Sequence, residues 1–374
     1  MKIAVVVLGG LHPSGSEQVV PSWLALFERL AGSHEIHAFA LRHLPNPQHY
    51  SLRGFTVHDL GRPSAPAGLT RWAQERALAR ALDEHGPFNL IHGFHADPAG
   101  QLAARAGRRL HVPGVVTCDS GEFVSIAAIE YGSQRTARGR RAVSEACTLA
   151  TAVHVCTNFM ASLARTHGVT ATVIPLTSVT SGPDSVEGLP MREDDGPFRL
   201  VQIASLSRVK NQRLLIDALR IVRHTVDVHL DLVGEDTLNG ALQQHAASLG
   251  LGPHVTFHGF LPQEKALDVL TRADLYVQSS LHEAAGVAVL EAAAAGVPTI
   301  GTPAGYVADW SQTNAAAVVE PTPESMADGI RALHADPDRR RSMAMRARAF
   351  ALTHDAASAA QQFDQLYWRV RRGR

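Results

Sequence analysis

Two glutamates separated by seven residues carry the most informative chemistry in this chain. Glu283 and Glu291 lie in the run from Tyr276 to Gly301. That run opens as a short apolar strand ending near Val277, crosses a polar loop, and becomes an Ala-rich helix from about Gly286 that Gly296 stops. Val297 to Gly301 then reads as the next buried strand. A helix rises ~1.5 Å per residue, so the two carboxylates fall ~10 Å apart. That is too far for an acid/base pair acting on one atom. It suits two acceptors gripping opposite ends of one elongated ligand. Between them the amides of Gly286 and Val287 open the helix, where a negative charge is favoured. A loop Glu and a helix-surface Glu in an ordinary βα unit would give the same spacing. The context, strand–loop–helix–Gly–x–Pro–strand, favours the ligand.

A second group stands earlier in the chain. Ala204 to Asn211 follows a strand and precedes the helix beginning at Gln212. It places Arg208 and Lys210 at a helix start, suited to an anion or to a solvated basic loop. Lysine is scarce here, only Lys2, Lys210 and Lys265, which singles out Lys210. In the first half, Gly9 and Gly10 follow the first strand and admit close backbone approach. The loop is not G-x-G-x-x-G, so no dinucleotide fingerprint is present. Asp119 follows the buried strand ending at Cys118.

The elements that must position these groups alternate from end to end, which indicates parallel sheets of βαβ units. Strands are predicted near 2–8, 35–41, 55–59, 89–92, 114–118, 152–156 and 171–175, with helices near 17–32, 69–85, 98–108, 133–150 and 157–167. Residues 176–197 lose all periodicity and read as a linker. Strands then resume near 199–204, 227–233, 254–258, 274–277, 297–301 and 316–319, with helices near 211–224, 236–250, 262–272, 286–296, 323–335 and 338–352. A last helix from Asp355 to Val370 carries Phe363, Leu366, Tyr367 and Trp368, too apolar to stay undocked.

The chain has 374 residues, enough for two α/β domains. Lys plus Arg equals Asp plus Glu, 35 each, so no global field favours nucleic acid or an anionic membrane. Cys118, Cys147 and Cys156 show no paired spacing, which fits a reducing, cytoplasmic setting. No signal peptide or membrane span is expected. Arg135, Arg138, Arg140 and Arg141 read as a solvated helix face, with an anionic acceptor or peripheral membrane contact as the alternative. The 20 histidines look scattered, and His224 and His229 have no ligand-like partners in sequence. Asp336 and Asp338 sit at a surface helix start, so no metal site is expected there.

The E-x7-E run resembles the signature of retaining GT-B glycosyltransferases of family 4. That resemblance implies two Rossmann-like, doubly wound parallel-sheet domains facing across a cleft. The expected boundaries are 1–178 plus the C-terminal helix 356–374 for the acceptor domain, and 179–355 for the nucleotide-sugar donor domain. It implies that Glu283 contacts the donor sugar, that Glu291 holds the ribose, and that the Gly286 and Val287 amides face the diphosphate. Lys210 matches the family lysine, whereas Ser205 stands where the family has arginine, with Arg208 one turn on as its substitute. Gly10 would lie under donor and acceptor. Phe260 would flank the base or serve as core. Asp119 takes the place of a family His-Gly; it would orient the acceptor hydroxyl or cap the next helix. Thr302 to Gly305 resembles the family's Gly-Gly loop, and Pro175-Leu176-Thr177 replaces its Pro-Asn-Gly. The implied reaction is metal-independent transfer from a UDP- or GDP-sugar to a small-molecule, lipid or glycan hydroxyl, without a cofactor. The acceptor attacks on the face the diphosphate leaves. A nucleotide-sugar epimerase and an inactive relative that binds a partner remain as alternatives.

Overall fold

The computed structural model describes residues 1–63, 65–66, 68–177, 179 and 196–373. By internal contacts the chain divides into two compact units, Met1–Ser178 with Ala356–Arg374, and Val179–Asp355. The stretch predicted as a linker falls mostly on residues 178 and 180–195, outside the described residues. Among the described residues no helix is long and apolar enough to cross a membrane.

In the first unit the strands are β1 (Lys2–Val7), β2 (Glu35–Ala40), β3 (Gln48–Leu52), β4 (Phe55–Asp59), β5 (Leu90–Phe94), β6 (Gly114–Cys118), β7 (Ala152–Val155) and β8 (Thr172–Val173). Its helices are α1 (Pro21–Ala31), α2 (Thr70–His85), α3 (Gln101–Leu110), α4 (Ala137–Leu149) and α5 (Asn158–Thr166). The sheet order is β3-β4-β2-β1-β5-β6-β7-β8, parallel except for the β3–β4 pair. After Lys2, β1 is an unbroken apolar run, as a strand covered on both faces requires.

Two differences from the sequence reading are local. The helix predicted from residue 17 begins at Pro21, because proline's fixed φ and missing N–H suit a first helical position. β3 was not predicted. Its sequence Gln-His-Tyr-Ser-Leu is too polar for a buried strand, and its pairing rests on a tight turn in which Arg53 and Gly54 both take positive φ (46° and 87°).

The second unit contains β9 (Phe198–Ile203), α6 (Gln212–Val222), β10 (Val228–Val233), α7 (Ala241–Ser248), β11 (Val255–Gly259), α8 (Gln263–Leu270), β12 (Leu275–Gln278), α9 (Val287–Ala294), β13 (Thr299–Gly301), α10 (Gly305–Ser311), β14 (Ala316–Val318), α11 (Pro323–His334) and α12 (Pro337–Thr353). Its sheet order is β11-β10-β9-β12-β13-β14, parallel throughout. The short α10 was not predicted. A core of Leu, Ile and Val from β9, β10, β12, α6 and α11 fills this unit.

The last helix, α13 (Ala356–Arg372), belongs to the first unit. Its stripe Ala359, Phe363, Leu366, Tyr367 and Val370 is buried, each large side chain contributing about 1.5–3 kcal/mol. A buried polar chain fixes its seat. The Ile174 carbonyl can only accept, so His154 Nε2–H donates to it (2.7 Å). His154 Nδ1 then accepts from the Thr117 hydroxyl (2.8 Å), whose oxygen accepts from His92 Nε2–H (2.7 Å). His92 Nδ1 accepts in turn from the Tyr367 hydroxyl (2.7 Å). Every member is satisfied only if both imidazoles are neutral. Burial enforces this by lowering the pKa of His92 and taking that of His154 down to about 4.

Candidate functional site

In an open parallel sheet, ligands bind beyond the carboxyl ends of the strands where the chain order reverses. In the second unit that point lies between β9 and β12, so the loops 204–211 and 279–286 face one crevice. The first loop is held by its own backbone. Ala204 passes so close to Gly234 (φ 152°) that a Cβ there would lie 2.1 Å from the Ala204 carbonyl oxygen. Buried Gln212 donates to the Ser205 carbonyl (3.1 Å) and accepts from the Ser207 amide (3.3 Å). The two loops are then laced together. The Leu281 amide donates to the Val209 carbonyl (2.8 Å), and the Ser279 hydroxyl to the Lys210 carbonyl (2.8 Å).

This lacing brings Lys210 Nζ to 2.6 Å from Glu283 Oε1, which also accepts from the Ser280 hydroxyl (2.6 Å). The Lys210 and Glu283 side chains are 25% and 11% exposed. The ammonium is thus set in place over 73 residues of chain, with one face still open. Ser205 and Arg208 are exposed on the same loop. Arg208 makes no ion pair among the described residues, so the loop's organised cation is Lys210.

Gly286 (φ 81°) precedes α9. A Cβ there would lie 2.6 Å from Gln278 Oε1, and only glycine meets both the backbone angle and that approach. Gln278 Nε2 donates to the Ala304 carbonyl (3.0 Å), and the Tyr306 amide to the Ala285 carbonyl (2.8 Å). The start of α9 is therefore braced by the loop that resembles a Gly-Gly turn. Val287 begins the helix, and Glu291 lies one turn on, with Gln263 of α8 donating to its Oε1 (2.8 Å). The buried Tyr276 phenol reports both carboxylates. Its pKa is raised first by burial and then by the charges of Glu283 and Glu291. Phe260, 55% exposed, follows β11 three residues before Gln263. It is not core, which removes one of its two sequence readings.

The first unit has its own reversal, between β1 and β5. Gly10 (φ 81°) follows β1, where a Cβ would meet Val20 Cγ2 at 2.8 Å. The close approach there is to the protein's own side chain. Asp119, just beyond β6, does not cap a helix; the next helical turn starts at Ala127. Its Oδ2 accepts from the Trp23 indole (3.2 Å), and its Oδ1 lies 3.3 Å from His95 Nε2. Oδ1 makes no hydrogen bond among the described residues. His95 follows β5 with φ 64°, a costly angle for a side-chain-bearing residue. Nearby, Glu122 accepts from the Ser120 amide (2.8 Å) and the Ala96 amide (3.3 Å). Burial raises the pKa of both carboxyls, and His95 pulls each back.

The model of glycosyl transferases group 1 matches residues 190–350, and that of the glycosyl transferase 4-like domain matches 18–177. The chain belongs to the GT4-like glycosyl transferase group 1 family. EpsD of Bacillus subtilis is 39% identical over 112 residues, 30% of this chain and 28% of that protein. The GDP-mannose-dependent alpha-(1-6)-phosphatidylinositol dimannoside mannosyltransferase of Mycobacterium tuberculosis is 30% identical over 162 residues, 43% of this chain and 42% of that one. The chain thus spans less than half the length of these curated relatives. Sucrose-phosphate synthase from Thermosynechococcus elongatus superposes with a TM-score of 0.79 at 18% identity, covering 100% of both chains. The fold is GT-B.

In this family member, Lys210, Glu283, Gly286, Val287 and Glu291 gather around the β9–β12 reversal, with Phe260 exposed beyond β11, two strands from β9. Gly10 and Asp119 gather at the strand ends of the first unit. Sequence reasoning missed His95, Glu122, Ser280 and Gln263. A histidine directly after the buried Gly93-Phe94 strand end was the available signal for His95. The resemblance sought an imidazole where Asp119 stands, and the fold supplies one from the neighbouring strand. His229, expected to have no ligand-like partners, lies 3.9 Å from Asp231 and 2.9 Å from the Thr256 hydroxyl and joins no metal-type cluster among the described residues. The arginine cluster is exposed, with Arg135 near Glu130 (3.6 Å) and Arg140 donating to the Gln134 carbonyl (2.8 Å). Asp336 caps α12 through the Arg339 amide (2.9 Å).

Proposed function

We propose that this GT4-family chain is a retaining, metal-independent glycosyltransferase that moves a sugar from a nucleoside diphosphate to an acceptor hydroxyl. The Lys210–Glu283 pair beside the Gly286 helix start carries the reading. It sets a cation, an acceptor for sugar hydroxyls and a helix N-terminus around one crevice. In this assignment the diphosphate lies over Gly286 and Val287 with Lys210 beside it, helped by exposed Arg208 and Ser205. Glu283 holds the sugar, Glu291 the ribose, and Phe260 the base.

As the C1–O bond to phosphate breaks, charge builds on the departing oxygen, and Lys210 and the helix start stabilise it. The acceptor oxygen bonds to C1 on the same face, and its proton passes to that phosphate oxygen. Asp119, whose Oδ1 faces His95 Nε2 (3.3 Å), is assigned to the acceptor hydroxyl, and His95 to positioning Asp119. Gly10 shapes the adjoining loop. The donor is a UDP- or GDP-sugar, and GDP-mannose, named for the mycobacterial relative, heads the panel. The acceptor is a small molecule, lipid or glycan.

The test measures release of nucleoside diphosphate from a UDP- and GDP-sugar panel across acceptors of those three kinds, with Lys210→Ala and Glu291→Ala as controls. Acceptor-dependent release that Lys210→Ala loses, and that Glu291→Ala loses at subsaturating donor, supports the assignment. Donor conversion without acceptor would show an epimerase, and no donor binding at all would show an inactive relative.

A further inference from the structure

Four imidazoles that the transferase reading leaves unused meet at the outer edge of the first sheet. His49 of β3 stands directly across the ladder from His58 of β4, and His37 comes from neighbouring β2. His85 is the last residue of α2. One nitrogen from each of His49, His58 and His85 lies within 4.8 Å of the others. His49 Nδ1 and His58 Nδ1 are 2.9 Å apart, His58 stacks on His85 (4.1 Å between centroids), and His85 Nε2 is buried without a hydrogen-bond partner.

The proton positions can be followed from one end. The Glu35 carboxylate, kept ionised by hydrogen bonds from His37 and Lys2, can only accept. With a single proton on each ring, His37 Nε2–H donates to Glu35 Oε1 (2.9 Å), leaving His37 Nδ1 to accept. That nitrogen lies 2.8 Å from His58 Nε2, which must carry the proton. His58 is buried. With Nε2–H given to His37, His58 Nδ1 faces His49 Nδ1 as the acceptor. A carboxylate–imidazole–imidazole chain of this kind is the support that orients a metal-ligating histidine.

We propose that His49, His58 and His85 bind one divalent transition-metal ion of the imidazole-preferring class, with Zn2+ as the type case and water completing a tetrahedral shell. Ligand nitrogens on such an ion sit about 3.4 Å apart. Reaching that arrangement asks His85 to rotate out of its stack on His58. It also asks exposed His49 to move its proton from Nδ1 to Nε2, an exchange through solvent with no net proton released. The ion would tie the edge hairpin β3–β4 to the end of α2, a staple at an otherwise open sheet edge. His37 and Glu35 act as positioning residues for His58.

The experiment uses the full, untagged chain, stripped with EDTA and titrated with Zn2+ by calorimetry, and with Co2+ for its visible absorption. Since the chain holds 20 histidines, the site is defined by difference. One ion per chain should bind, with a Co2+ spectrum of tetrahedral type and a Zn2+-dependent rise in Tm. His49→Ala, on the exposed edge strand, and His85→Gln should each weaken that ion at least about tenfold and remove the Tm rise. His37→Gln should weaken it about 10–100-fold while leaving the stoichiometry at one. Binding that His49→Ala and His85→Gln leave unchanged, or no saturable ion in the unmutated chain, overturns the proposal.

Discussion

Lys210→Met tests whether the ion pair at the β9–β12 reversal serves catalysis or only holds two loops together. Met keeps the aliphatic stem and deletes the charge. At 2.6 Å and an effective dielectric constant near 20, the pair's Coulomb energy is about 6 kcal/mol before desolvation is subtracted. Truncating one member of such a pair costs about 2–5 kcal/mol, because the remaining charge stays under cover. Glu283 is 11% exposed, so the lower end, about 2 kcal/mol, is expected. For a unit of this size that shifts Tm by about 4–8 °C. In the transferase reading the same variant loses transition-state stabilisation as well, about 10²–10³-fold in kcat, with a smaller change in donor KM. The assay pairs thermal unfolding with turnover, measured as nucleoside diphosphate release, and adds Lys210→Met with Glu283→Gln. The double variant no longer buries an uncompensated carboxylate and should recover most of the lost Tm without recovering turnover. Turnover within threefold of the unmutated chain in Lys210→Met, or rescued turnover in the double variant, refutes the catalytic role of the ammonium.

Glu291→Ala removes the acceptor assigned to the ribose. Hydrogen bonds to a charged group are worth about 1.5–3 kcal/mol, so donor KM should rise about 10–100-fold with kcat nearly unchanged, read from steady-state kinetics. Asp119 and Glu122 have pKa values raised by burial, so their ionised forms cost stability that is felt as pH rises through the folded pKa and vanishes in acid. Asp119→Asn should therefore raise Tm at pH 8, lose that gain as pH falls, and reduce turnover; a lower Tm at pH 8 would contradict the assignment of burial as the dominant cause. The neutral His92 and His154 work in the opposite sense. Their folded pKa values lie below the unfolded 6.5, His154 at about 4, so the stability they lend is complete above pH 6.5 and drains away as pH falls toward 4. A Tm profile between pH 7.5 and 4.5 should fall in that window, and His154→Gln should flatten part of the slope.

The sequence determined the parts whose signals are local. Unbroken apolar runs such as residues 3–7, the alternation of strands and helices, and glycines at strand ends were legible because they follow from backbone geometry and burial. The spacing of Glu283 and Glu291 fell in the same class, since one loop and one helix turn fix it. The start of α1 at Pro21, the polar strand β3 and the short α10 were not legible, because tertiary pairing there overrides weak local preference. Tertiary structure alone decided who meets whom. It set Lys210 against Glu283, His95 against Asp119, Tyr367 against His92, and His49 against His58 and His85. Each of those meetings spans strands that are neighbours in a sheet, or a helix returning to one. Periodicity reveals which face of a strand is buried, while the order of strands, and so the partner across it, is chosen by packing of the whole unit.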